Sequence, residues 1–326
     1  MNGVDLSLFD YNYDLTWMGF FLNPDEHIYS RYGGRAEQDA MTLLSPAGLK
    51  RTMLNVMDEH VSWLENPTPP PPKRQVTTID ELPLAKEALE RAEREGRTDQ
   101  CFHCHNVNDY RMRQQIADGT FDRNFIFSYP PPRTLGFRID RQDSTRVESV
   151  EDDSAAATAG LRPDDRIRSI GERKILSVGD LLYALNKAPL TGTLQMKVAR
   201  GDETLDLAIP LADGWREHDI SWRAKLWNIQ PEPGVWAPEI SEDRRKELGI
   251  ADTELALEAR YIHKPWARQS GLQNGDIIIA SNGDTTRRAG NQWQAHVRLN
   301  SQPGSNLVLT VIRGEERKEI RIKLPE

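Results

Sequence analysis

The chain has 326 residues, enough for two or three domains. A net charge of −8 and an isoelectric point near 5.5 argue against nucleic acid as a main partner, because phosphate backbones recruit basic surfaces. No window approaches the roughly 18 apolar residues of a membrane span. Met1–Asp5 shows neither a basic nor an apolar signal segment.

In chain order, Thr16–Leu22 is an apolar and aromatic run suited to a buried strand. Asn23-Pro24-Asp25-Glu26 is turn chemistry, and His27–Tyr32 alternates as a second antiparallel strand. Ser45-Pro46 starts a helix, serine as N-cap and proline at the first position. Leu49, Met53, Val56, Met57 and Val61 repeat at helical spacing and predict one buried face. Strand, hairpin, strand and long helix resemble the C-terminal half of a thioredoxin-like domain, so residues 1–66 read as a partial α/β half-domain. That resemblance implies missing strands upstream of Met1, in a segment that could also carry a signal peptide.

Pro67–Pro72 is a polyproline spacer that opens a helical segment, residues 67–133, closed by Tyr129–Pro132. Within it Asp80–Glu95 predicts a charged helix and Asn108–Ile116 another. Between them stand the only two cysteines, in Cys101-Phe102-His103-Cys104-His105. C-x-x-C-H is the spacing that attaches c-type haem: each thiol forms a thioether and the following histidine binds the haem iron. Cys101 and Cys104 are then the covalent anchors and His105 the proximal ligand. A C-x-x-C redox pair, a zinc site drawing on His103 and His105, and accidental surface thiols are the alternatives. Met112, seven residues beyond His105, cannot reach the opposite ring face if both share one helix. His60, Tyr110 and Tyr129 are other candidates for the sixth ligand. Covalent haem is attached outside the cytoplasm, so this reading implies a periplasmic or otherwise exported protein, and a cytoplasmic one if it fails.

From Arg133 onward the chain is duplicated. Ala159–Gly171 is matched by Ser270–Gly283, and Val198–Glu203 by Val311–Glu316, at offsets of 111 and 113 residues. Ser154 caps a short helix, Ser177 caps a second one with Val178, Leu181, Leu182 and Leu185 on one face, and Arg200-Gly201-Asp202 turns a hairpin. These fragments resemble PDZ domains of the Deg/HtrA type, placed at 134–212 and 237–326 with a Trp-rich connector, 213–236, between them. The fold class expected is therefore multidomain α+β: two PDZ-like domains after a short helical haem-motif segment and the partial thioredoxin-like half. Thr134-Leu135-Gly136-Phe137 resembles the PDZ carboxylate-binding loop, which implies that backbone amides of Leu135, Gly136 and Phe137 hold a peptide terminus beside Gly136–Asp140. The second copy offers only Leu248-Gly249-Ile250, a departure that argues for packing rather than peptide binding. Trp215, Trp222, Trp227 and Trp236, interleaved with Arg216, Arg223 and Lys225, read as a buried connector.

No G-x-S-x-G occurs, and the segment before the first repeat is too short for a two-barrel protease. The expectation is a non-proteolytic exported adaptor that binds protein C-termini or extended peptides. It would carry a c-type haem for electron transfer or redox sensing with a redox partner. A haem-free PDZ scaffold, or a thiol oxidoreductase using Cys101 and Cys104, is the alternative.

Overall fold

The computed structural model describes residues 1–67, 69, 75–97 and 102–326. They form two compact units, Met1–His218 and Asp219–Glu326, so the division falls inside the segment read as a connector. Cys101, Thr68 and Pro70–Pro72 lie outside the described residues. No helix among those described is long and apolar enough to cross a membrane.

The first unit begins with β1 (Gly19–Leu22) and β2 (Ile28–Tyr32), an antiparallel pair, then α1 (Pro46–Glu65). The Ser45 hydroxyl caps α1 by accepting from the Gly48 N–H at 2.9 Å. The stripe expected to be buried is instead the exposed one: Met53, Met57 and Val61 are at least half exposed. The helix packs through a small and polar edge. Gly48 and Thr52 are buried, Asn55 donates to the Leu176 carbonyl at 3.1 Å, and Glu59 pairs with Lys174 at 2.6 Å. Periodicity located a stripe on the helix, but hydrogen bonds to the PDZ-like part decided which side faces it.

Next come α2 (Pro83–Arg94) and α3 (Cys104–Ala117). Ile79, Ala85, Phe102 and Val107 share one core with Leu6, Tyr11, Tyr13 and Leu15. The cysteine-motif segment is thus folded together with the first residues of the chain.

The rest of the first unit holds β3 (Phe137–Ile139) and β4 (Val147–Val150) in a two-stranded sheet, α4 (Ala155–Thr158), and a four-stranded sheet in the order β6-β5-β7-β8. Its strands are β5 (Arg166–Ile170), β6 (Arg173–Lys174), β7 (Gly192–Arg200) and β8 (Glu203–Leu211), with α5 (Val178–Asn186) between β6 and β7. Ser154 and Ser177 cap α4 and α5 as expected, each accepting from an N–H three residues on at 3.1 Å. Val178, Leu181 and Leu185 are fully buried with Ile167, Val198 and Ile209, each such side chain contributing about 1.5–3 kcal/mol. Trp215 completes this core and donates to the Pro189 carbonyl at 3.0 Å.

The second unit contains β9 (Val235–Trp236), α6 (Glu242–Leu248), β10 (Leu257–Glu258), β11 (Tyr261–Ile262), α7 (Pro265–Gln269), β12 (Ile277–Ser281), α8 (Gly290–Asn300), β13 (Asn306–Arg313) and β14 (Glu316–Lys323). Its main sheet runs β10-β12-β13-β14, and β9 pairs with β11. In Leu248-Gly249-Ile250, Gly249 ends α6 in a left-handed conformation with φ of 64°. Trp222, Trp227 and Trp236 belong to this unit rather than to a common buried connector, and the last two are more than a third exposed.

One interaction appears in both units. Arg200 grips Asp165 with two hydrogen bonds, at 2.8 and 2.7 Å, and donates to the Gly160 carbonyl at 2.7 Å. Arg313 does the same to Asp276, twice at 2.7 Å, and to the Gly271 carbonyl at 2.8 Å. The forked guanidinium ties the hairpin to the turn before β5 or β12. The duplication seen in the sequence is thus a duplicated joint.

Candidate functional site

Arg133 to Phe137 form a tight turn leading into β3, with Leu135 and Phe137 in one core with Leu181, Leu182 and Leu185 of α5. Leu135 and Phe137 bury their side chains completely, which leaves backbone and the Arg133 guanidinium to meet a ligand. Gly136 has φ of 84°, and a Cβ there would collide with Ser154. Only glycine meets both demands. The Gly136 N–H, expected to hold a peptide terminus, donates to the Arg133 carbonyl at 3.0 Å, and the Gly136 carbonyl accepts from Glu151 at 2.8 Å.

The residue that sequence reasoning missed is Arg133. It donates to the Glu37 carboxylate and to the Ala36 carbonyl, both at 3.0 Å. Its position directly before Thr134 was the one available signal, because a cation beside a carboxylate loop adds charge-assisted bonds.

Asp180 in the first turn of α5 is buried and accepts from the Ser30 hydroxyl at 2.6 Å, the Arg31 N–H at 3.0 Å and the Leu176 N–H at 3.2 Å. Burial pushes its carboxyl up to about 6, although Ser30 and Arg31 pull the other way. The Arg31 guanidinium lies 3.9 Å from the centre of the Tyr183 ring.

The cysteine motif occupies a different part of the unit. Cys104 begins α3, and its thiol meets the Tyr11 hydroxyl at 3.2 Å and Met1 Sδ at 3.8 Å. Burial and Cys104 push the Tyr11 hydroxyl above its ordinary range, so it stays protonated. His105 Nδ1 lies 3.5 Å from Asp109 Oδ2 one turn along α3. Met112 shares that helix and is fully buried. Tyr110 packs on Phe102, and Tyr129 donates to Asp10 at 3.1 Å. His60 Nδ1 is 2.7 Å from the Tyr29 hydroxyl and its ring stacks on Trp63. His60, Tyr110 and Tyr129 are thus held by other partners, and Met112 is buried on the helix that carries His105. Among the described residues no three of His, Cys, Asp and Glu form a metal-binding group. The donor set around α3 still suits a c-type haem in one respect: a carboxylate on Nδ1 is the usual way to orient a ligating imidazole.

The comparisons bear on the turn before β3. Residues 134–211 match the PDZ domain family model. The chain is similar to a probable periplasmic serine endoprotease DegP-like of Chlamydia trachomatis, 24% identical over 65% of this chain and 42% of the relative. It is also similar to one from a Marinomonas species, 27% identical over 45% and 30%. The chain spans less than half the length of these relatives. A solved HtrA-type protease AlgW with decapeptide shares 13% identity over 49% of this chain and 54% of its own, with a TM-score of 0.26. The match places a PDZ domain at residues 134–211 of the chain.

Proposed function

We propose that the chain is a non-proteolytic adaptor whose first PDZ domain takes the C-terminus of a partner protein in the groove between β3 and α5. The observation that carries this reading is Arg133 at the mouth of the Leu135-Gly136-Phe137 turn, already bonded to a carboxylate and a carbonyl. A terminal carboxylate presents the same pair of acceptors. The edge of β3 not used by β4 is the place for an added peptide strand. The endoprotease relatives support a periplasmic setting, and no serine-protease motif accompanies the PDZ domain within this sequence. Anisotropy titration of labelled peptides, each with a free and an amidated C-terminus, tests the reading. Preference for the free acid that disappears in Arg133→Ala supports it; equal binding of acid and amide contradicts it.

A second reading keeps the haem. Cys101 and Cys104 would hold it by thioethers and His105 by Nε2, with Asp109 orienting the ring. Such a group would supply one-electron chemistry. Expression in a haem-maturing periplasm tests this by intact mass and absorption. Colourless protein at polypeptide mass leaves the adaptor alone and turns attention to thiol chemistry at the cysteine pair.

A further inference from the structure

The PDZ groove is filled by the chain's own backbone. Ser30 and Arg31 are tied to Asp180 at the start of α5, and the Ser177 hydroxyl donates to the Arg31 carbonyl. Gly34 then passes the middle of the helix. A Cβ on it would stand 2.6 Å from Leu182 Cδ1 and 3.8 Å from Val178 Cγ2, so nothing larger fits without displacement. Two residues later the Ala36 carbonyl and the Glu37 carboxylate reach Arg133. Tyr32 and Ala36 are buried in one core with Leu135, Phe137 and Leu182. Beside Arg133, Phe137 and Ile139 a cavity of about 70 Å³ remains, lined by Ala36 and Glu37 and by no residue of α5. A segment that follows α5 and ends with a carboxylate at the Arg133 turn has the form of a bound C-terminus.

We propose that Arg31–Glu37 is an internal pseudo-ligand of the PDZ groove, with Glu37 in place of a partner's terminal carboxylate, and that a partner binds only by displacing it. This rests on the peptide-binding reading above and adds its regulation and ligand class. A competing C-terminus must end in a small residue like Ala36, offer a carboxylate to Arg133, and carry no bulk two residues earlier, where Leu182 closes the groove. An internal ligand present nine times in ten weakens a partner's apparent affinity about tenfold.

The test uses the full chain and a labelled peptide with the sequence of residues 28–36 and a free terminal carboxylate. Gly34→Val forces the internal segment against Leu182, whereas the peptide keeps its glycine. Glu37→Gln weakens the Arg133 contact at a half-exposed site and leaves the fold intact. Trypsin cleavage after Arg35 reports separately whether the segment has left. The expected result is at least tenfold tighter peptide binding by Gly34→Val and about threefold by Glu37→Gln, with faster cleavage in both. Unchanged affinity in variants whose segment has become cleavable overturns self-occupancy and leaves peptide binding standing. A segment that stays protected in both variants also overturns it. Absence of binding by every form, segment released, removes the peptide-binding reading itself.

Discussion

Gly179 and Gly290 hold matching places in the two repeats, 111 residues apart. Each has a foreign carbonyl oxygen 2.6 Å from where a Cβ would stand. In the first unit that oxygen belongs to Arg31, in β2 opposite Phe20 of β1, held by Ser177 from 146 residues away and lying outside the PDZ match. In the second it belongs to Ala237, in backbone paired with the unit's own strands: Ile240 N–H to Ala256, Glu258 N–H to Pro238 and Arg260 N–H to Trp236. Gln294 of α8 also donates to the Val235 carbonyl at 2.6 Å. One helix glycine therefore serves two ends. On the proposal above, the first repeat is covered by a segment whose Gly33–Glu37 part lies beyond its strand pair and can be displaced, and the second by backbone that stays paired within its own strands.

The largest expected difference follows from the charges at each closure. In the second unit Arg298 is almost fully buried and donates to Glu232 at 3.0 Å and to the Ile229 carbonyl at 2.5 Å. Burial would raise the Glu232 carboxyl, but Lys264 and Arg298 hold it below its usual range. Arg298→Ala should destabilise the second unit by about 4 kcal/mol in urea unfolding, because a buried carboxylate loses a partner. The Arg133–Glu37 pair is partly exposed, so Glu37→Gln should cost the first unit less than about 1 kcal/mol. Equal costs would break the distinction between a permanent and a removable cover.

A pH effect separates the repeats next. Asp180, with its carboxyl raised to about 6, corresponds by the same offset to the uncharged Asn291. The folded first unit binds the extra proton between about pH 4 and 6, so its stability falls as pH rises through that window and levels off above it. A rise of two units is worth about 3 kcal/mol. Calorimetry from pH 4.5 to 7.5 should show this slope for the first unit, and Asp180→Asn should flatten it. A slope that survives the substitution assigns it to another group.

The smallest contrast should be none. Arg200→Ala and Arg313→Ala each release a buried aspartate from the same joint, and each should lower its own unit's melting temperature by about 5 °C. A large inequality would mean that the duplicated joint serves only one repeat.

Much of the fold was legible because short-range chemistry decides it. The serine caps at Ser45, Ser154 and Ser177, the hairpin turns at Gly201 and Gly314, and the paired motifs around Asp165 and Asp276 all act within a few residues. What the chain concealed depends on partners far apart in sequence. The buried edge of α1 is set by Leu176 and Lys174, so the apolar stripe Met53–Val61 pointed to the wrong side. Leu248-Gly249-Ile250 departs in sequence from the loop of the first copy, yet Gly136 and Gly249 both end a helical turn in a left-handed conformation. The segment after β2 was equally hidden: Gly33-Gly34 carries no signal of its own, and only the nearness of Leu182 and Arg133 gives it another role.

Hydrogen exchange on the full chain, with and without the peptide of residues 28–36 ending in a free carboxylate, tests the central claim most directly. The account predicts that added peptide speeds exchange in residues 31–37 and slows it in β3, while residues 234–240 do not change. If residues 31–37 keep their protection as the peptide binds, or residues 234–240 open instead, the groove of the first repeat is not the site and the account is wrong.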